Sequence, residues 1–231
     1  MWPSIQRLRQ IHRFFIQQGA YPVLLSTALA ISLYLGRVIQ SERLTFLFLV
    51  WNLFLAWIPY LASMGAIYFH QRYPRKWWLL LPPAALWLAF FPNAPYILTD
   101  LLHLAHRPSV PYWYDIGLLI TFAWTGLFLG IYSLRLMQGM VQDYAGGVVG
   151  WMFVLASLGL SGLGIYMGRF LRWNSWDLVF QPQAVFTDVA VRLVNPLDNL
   201  QTVGVTMLFA AILFISYLTL TAVPAVSTRR N

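Results

Sequence analysis

Apolar residues gather in six runs, at about 21–39, 44–69, 77–91, 112–137, 147–168 and 201–223, each closed by charged residues, prolines or both. About 20 apolar residues in a helix rise ~30 Å and match the hydrocarbon core of a bilayer. The pattern therefore predicts an all-α membrane protein of about six transmembrane helices. It forms a single polytopic domain over 21–223, between a basic amphipathic N-terminal flank (1–20) and a cytoplasmic tail (224–231). In the flank, Arg7, Arg9 and Arg13 stand beside Ile5, Leu8, Ile11 and Phe14, which suits a membrane surface or an ordinary basic flank. Ala28-Leu29-Ala30 has the form of a signal cleavage site but lies inside the first run, which therefore reads as an uncleaved span.

Two runs depart from the regular pattern. The third, Trp77 to Phe91, rises only ~22 Å as a helix and stops at Pro92-Asn93-Ala94-Pro95. Prolines remove backbone donors and disfavour the helical region for the residue before them, so a broken third helix is expected near Asn93. Such a break is either the plain end of a short helix or, buried in protein, a feature of binding sites. In the fifth run Gly147, Gly150, Ser157, Ser161, Gly164 and Gly168 recur at spacings of three and four, the signature of close helix packing. Gly126-x-x-x-Gly130 in the fourth run suggests that the fourth and fifth helices touch along it.

The connection Arg169–Leu200 is long enough to need structure of its own. Phe186, Val189, Ala190 and Leu193 fall on one helical face opposite the i,i+4 pair Asp188 and Arg192, and Pro196 closes the segment. This predicts a short interfacial helix between spans five and six. Tyr34-Leu-Gly-Arg37 echoes Tyr166-Met-Gly-Arg169, too short a match to define a repeat.

Composition sharpens the picture. Hydrophobic residues make up 59% of the chain and charged residues 10%, with mean hydropathy +0.64, which excludes a soluble globular domain. The net charge of +8 does not point to nucleic acid, because the basic residues are scattered over helix ends rather than gathered on a face. Anionic membrane lipids are the partner that explains them. With six spans, nine Lys and Arg flank one side and six the other, placing both termini in the cytoplasm. Absence of cysteine removes disulfides, thiolate metal sites and a cysteine nucleophile.

Polar residues that are costly near a bilayer gather in two strings, 93–106 and 169–177, which this topology puts on the same extracytoplasmic side. In helical register Asp100, His103 and Arg107 share a face, with Asp115 opening the next span. The second string holds Arg169, Arg172, Asn174 and Asp177 around Trp173 and Trp176. Three readings compete. Asp100, His103 and Asp177 are the candidate catalytic residues, and with His106 Asp100, His103 and Asp177 are also donors for a divalent ion, although no metal or cofactor motif is present. Alternatively Asn93, Tyr96, Asp115, Arg169, Arg172 and Asn174 line a pocket for an anionic or lipid-linked ligand. The plainest reading makes all of these interfacial anchors and ion pairs.

Phe91-Pro-Asn-Ala-Pro-Tyr96, then Thr99-Asp100-Leu and His103, Tyr114-Asp115, Ser133-Leu134 and Gly168-Arg-Phe-Leu-Arg-Trp-Asn-Ser-Trp-Asp177, resemble a family of small bacterial integral membrane proteins, domain of unknown function 1361. The resemblance runs from the second span to about Pro182. It implies bacterial origin and a multi-span fold and assigns no reaction. The expectation is a multi-pass protein of the bacterial inner membrane whose two strings meet at its outer face and bind, transport or process a small or lipid-linked anion. A membrane-embedded Asp/His enzyme and a scaffold subunit docking a partner helix are the alternatives.

Overall fold

The structure, a computed structural model, describes residues 19–222 together with His12 and Ile16. The tail 224–231 lies outside the described residues, as does the N-terminal flank apart from His12, Ile16, Gly19 and Ala20. Among the described residues the protein is all helical. Helix α1 is Ala20–Ser41, α2 Leu47–Arg72, α3 Leu81–Phe90 and α4 the single turn Asn93–Tyr96. Tight 3₁₀ turns at Trp77–Leu80 and Ile97–His103 flank α3 and α4. Next come α5 (Tyr112–Phe170), α6 (Asp177–Phe180), α7 (Pro182–Val194) and α8 (Leu200–Ala222).

Four of these helices, α1, α2, α5 and α8, are long and apolar enough to cross a membrane. The 59 residues of α5 do not form one rod, because Gly146 leaves the helical region at φ 84° and ψ 171° and divides it into legs 112–145 and 147–170. Glycine suits that bend, since a positive φ strains any residue with a Cβ. The chain divides into two compact units, Met1–Leu136 and Met137–Asn231.

In the first unit α1 and α5 run antiparallel. Tyr114 donates its hydroxyl to the Leu33 carbonyl at 2.8 Å, and Ser26 and Thr125 share a hydrogen bond of 2.5 Å. Across from α1, Trp57 of α2 donates to Thr27 at 3.2 Å. A core of Val23, Ala30, Leu49, Leu53, Ala94, Ile97, Leu118 and Phe122 fills the space between these elements.

After the third run the regular helix stops at Phe90 and a single turn resumes at Asn93. Instead of unwinding at the prolines, the backbone keeps right-handed helical dihedrals at Phe91, Pro92, Tyr96 and Ile97. The missing donors are replaced locally: Ala94 N–H reaches Phe91 O at 3.2 Å, and the Asn93 side-chain amide donates to Phe90 O at 3.2 Å. A tightened helical path satisfies the backbone without water, which an extended break at membrane depth would not.

The glycine pair in the fourth run holds that path in place. A methyl group at Gly126 would collide with the Ala94 carbonyl oxygen and crowd Ile97, and one at Gly130 would lie 3.4 Å from the Ala94 Cβ and 3.6 Å from Pro95. Small residues allow such backbone-to-backbone approach. The partner at this pair is therefore the Asn93–Tyr96 turn, where the sequence pattern suggested the fifth helix. Trp87, stacked on Phe91 at 4.5 Å, adds a hydrogen bond to Ser133 Oγ at 3.2 Å.

In the second unit the leg 147–170 packs on α8 so closely that a methyl at Gly162 would collide with the Thr206 carbonyl oxygen. Tyr217 of α8 donates a hydrogen bond to the Gln138 side-chain oxygen Oε1 and meets Trp151 edge-on at 6.1 Å. Leu163, Tyr166, Met167 and Val185 form a second small core, with Trp173 and Val189 at its edge.

Candidate functional site

The polar end of the first unit is built on Asp115, in the first turn of α5. Its carboxylate accepts from Arg37 of α1 at two points, Nε to Oδ1 at 2.7 Å and Nη2 to Oδ2 at 3.3 Å, with both side chains 1% exposed. Planar two-point pairing is the strongest form that a guanidinium and a carboxylate adopt. Arg107 approaches the same carboxylate, Nη1 to Oδ2 at 3.7 Å, and its side chain is 28% exposed. The guanidinium carbons of Arg37 and Arg107 lie 4.5 and 4.7 Å from the centre of the buried Phe46 ring. Two cations thus converge on one carboxylate and one aromatic ring.

Asp100 lies in the 3₁₀ turn Ile97–His103 and is buried. Asn52 of α2 donates its amide to Asp100 Oδ2 at 2.7 Å, and His103 Nδ1 stands 3.9 Å from Oδ1 and 3.3 Å from the Asp100 carbonyl. With three residues per turn, residues i and i+3 are eclipsed, so this pairing follows from the 3₁₀ geometry. The His103 ring is tilted against Phe48 at 4.7 Å and its side chain is 40% exposed.

The expected helical face through Arg107 does not form. Leu104 is extended, so the helix ends at His103, and Arg107 reaches back from the following loop to donate to the His103 carbonyl at 3.4 Å and the Ala105 carbonyl at 3.3 Å. Downstream, Pro108 and Pro111 lack the donors a continued helix needs. Asn93 serves the backbone as described, and the half-buried Tyr96 accepts the Thr99 hydroxyl at its carbonyl at 2.7 Å. His106 stands exposed beside Tyr112. Among the described residues no three His, Asp or Glu side chains gather as metal ligands.

In the second unit, the leg 147–170 ends with Leu171 N–H and Trp173 N–H both on the Met167 carbonyl at 3.1 Å. Arg172, between them, takes the left-handed conformation at φ 61° and is exposed. Asp177 closes the next turn, accepting the Asn174 backbone N–H at 2.7 Å and its side-chain amide at 3.4 Å. Arg169 is in the last helical turn, half-buried.

Arg37, Phe46 and Asn52 were not among the residues that the sequence singled out as a site. The available signal was position: Arg37 lies within the first apolar run and Asn52 is an amide inside the second, and polar groups at such depth need named partners.

The arrangement is that of an all-helical protein with several helices able to span a membrane and a buried ionic network at one end of its first unit. The model of the family described as Protein of unknown function (DUF1361) matches residues 51–216, more than two thirds of the chain, and the chain belongs to that family. Comparison with curated proteins and with solved structures gives no match.

Proposed function

We propose that the protein crosses the bacterial inner membrane six times, with both termini in the cytoplasm, and binds a small or lipid-linked anionic ligand at the polar end of its first unit. The two legs of α5 count as two crossings, and the stretch 77–103 supplies the sixth. The observation that carries the ligand reading is the pairing of two guanidinium groups with one carboxylate around Asp115. Arg37 already satisfies that carboxylate at two points, so Arg107, more distant and partly exposed, is the cation with charge left to share. A phosphate or carboxylate oxygen is a stronger acceptor for it than the backbone carbonyls it now contacts. Exposed Tyr112, against His106, and exposed Trp113 suit headgroup depth. Arg169 and Arg172 offer cations in the second unit.

The test is native mass spectrometry of protein extracted from its own membrane in mild detergent. Wild type should retain an anionic lipid or lipid-linked phosphate in preference to phosphatidylethanolamine. Loss of one charge-assisted contact, worth ~1.5–3 kcal/mol, should lower retention in Arg107→Gln by about tenfold or more. Equal retention in the two proteins would overturn the reading.

A second reading has its own observation. Asp100, fixed by Asn52 and close to His103, has the makings of an acid–base pair. Here Asp100→Asn would leave the protein folded and inserted yet abolish turnover of the bound ligand, whereas a lower melting temperature with ligand chemistry unchanged would leave Asp100 a structural residue.

A further inference from the structure

The connection between the leg 147–170 and α8 departs from the pattern of a helix in water. A surface helix faces its apolar stripe inward and its charges outward. In α7 the inward face carries the charges: Asp188 accepts the Trp173 indole N–H at 2.8 Å, and Arg192 donates to the Asp188 carbonyl at 2.8 Å and pairs with its carboxylate at 3.4 Å. Val185 is buried on that same side, Arg192 is 17% exposed and Asp188 37%. The outward face carries Phe186 and Leu193, both 64% exposed, and Val194, 75% exposed. In α6, Val179 and Phe180 are likewise exposed. Phe186 and Leu193 follow the sequence-based face; Val189 does not, because it lies inward with the charged pair.

We propose that α6 and α7 are inserted into one leaflet of the bilayer, with Val179, Phe180, Phe186, Leu193 and Val194 among the acyl chains. The occupant of this face is lipid for three reasons. The connection begins at Phe170 and returns at Leu200, the ends of two helices apolar enough to span, so it starts and finishes at the membrane boundary. Leu200 and Met207, on the helix that follows, are exposed apolar residues too. Asp188, 37% exposed, pairs with Arg192, as a low-dielectric surrounding favours, while Gln181, Gln183, Asn195 and Asp198 stand exposed at the ends of α7, where headgroups and water reach them. An interfacial helix lying on the surface would instead show a polar side to water. The inference rests on the second unit alone and does not depend on the ligand site.

The chain contains no cysteine, so single cysteines can be placed at Phe186, Leu193 and Gln183 and given a nitroxide label. In vesicles of phosphatidylethanolamine and phosphatidylglycerol, oxygen collects among acyl chains and a nickel chelate stays in water. Labels at Phe186→Cys and Leu193→Cys should relax several-fold more with oxygen than with nickel, and Gln183→Cys should favour nickel. Nickel-dominated relaxation at 186 and 193 would make the connection an aqueous loop and overturn the proposal. Exclusion of both reagents there would show the face covered by protein, a second copy included, and would overturn it equally. Val179→Cys and Val194→Cys repeat the measurement on the same face should either variant fail to insert.

Discussion

Arg37 and Asp115, 78 residues apart in the chain, meet in a two-point ion pair from which water is excluded. Removing one partner of such a pair strands the other charge, which costs ~3–5 kcal/mol. The two halves are not equivalent here. Asp115→Asn leaves Arg37 buried without an anion, whereas Arg37→Met leaves Asp115 within reach of Arg107. Thermal unfolding in detergent should therefore show a larger loss for Asp115→Asn than for Arg37→Met. The reverse order would mean that Arg107 does not share the carboxylate.

Gly126 supports the site from behind. Gly126→Ala drives a methyl into the Ala94 backbone, which must shift, and overpacking of this kind costs ~1–3 kcal/mol. Gly139→Ala, in the same leg but with open space around it, should be neutral or raise stability by up to ~1 kcal/mol through helix propensity. Melting temperatures of the two variants measured side by side check the contrast.

Arg172 occupies a helix-terminating position in which glycine is the unstrained residue. Arg172→Gly should stabilise the protein by ~0.5–1 kcal/mol. If this arginine also holds an anionic ligand, the same variant retains less lipid while melting higher, a combination that a purely structural role does not produce.

Topology is checked by fusion. A reporter after Asn231 that works only in the cytoplasm should be active, and a periplasm-dependent reporter there should be silent. The opposite result reverses the orientation and moves the polar end to the inner face.

Much of the fold was legible because helix bounds follow hydrophobic runs. The runs at 21–39, 44–69 and 201–223 became helices Ala20–Ser41, Leu47–Arg72 and Leu200–Ala222, and the gap before 147 became the bend at Gly146. The site was legible in part. Asp100 and His103 are neighbours, as their spacing implied, but through a 3₁₀ turn, and Arg107 arrives by a loop rather than along a helix. Two features were hidden. Nothing local indicates that the Asn93 amide would take the Phe90 carbonyl while Ala94 N–H takes that of Phe91, so that the backbone stays helical past Pro92. Nor does local sequence reveal that Arg37 pairs with Asp115 and Asn52 with Asp100, because such pairings are chosen by tertiary packing across long stretches of chain.

The most direct test of the ligand-binding account is photo-crosslinking with an anionic phospholipid that carries a photoreactive group at its phosphate headgroup. With protein in vesicles, peptide mapping should place adducts on residues 103–107, and excess unlabelled anionic lipid should compete them away while phosphatidylethanolamine does not. Arg107→Gln should lose most of the adduct. Adducts spread evenly along the spans, or unchanged in Arg107→Gln, would contradict an anion site at this end of the protein.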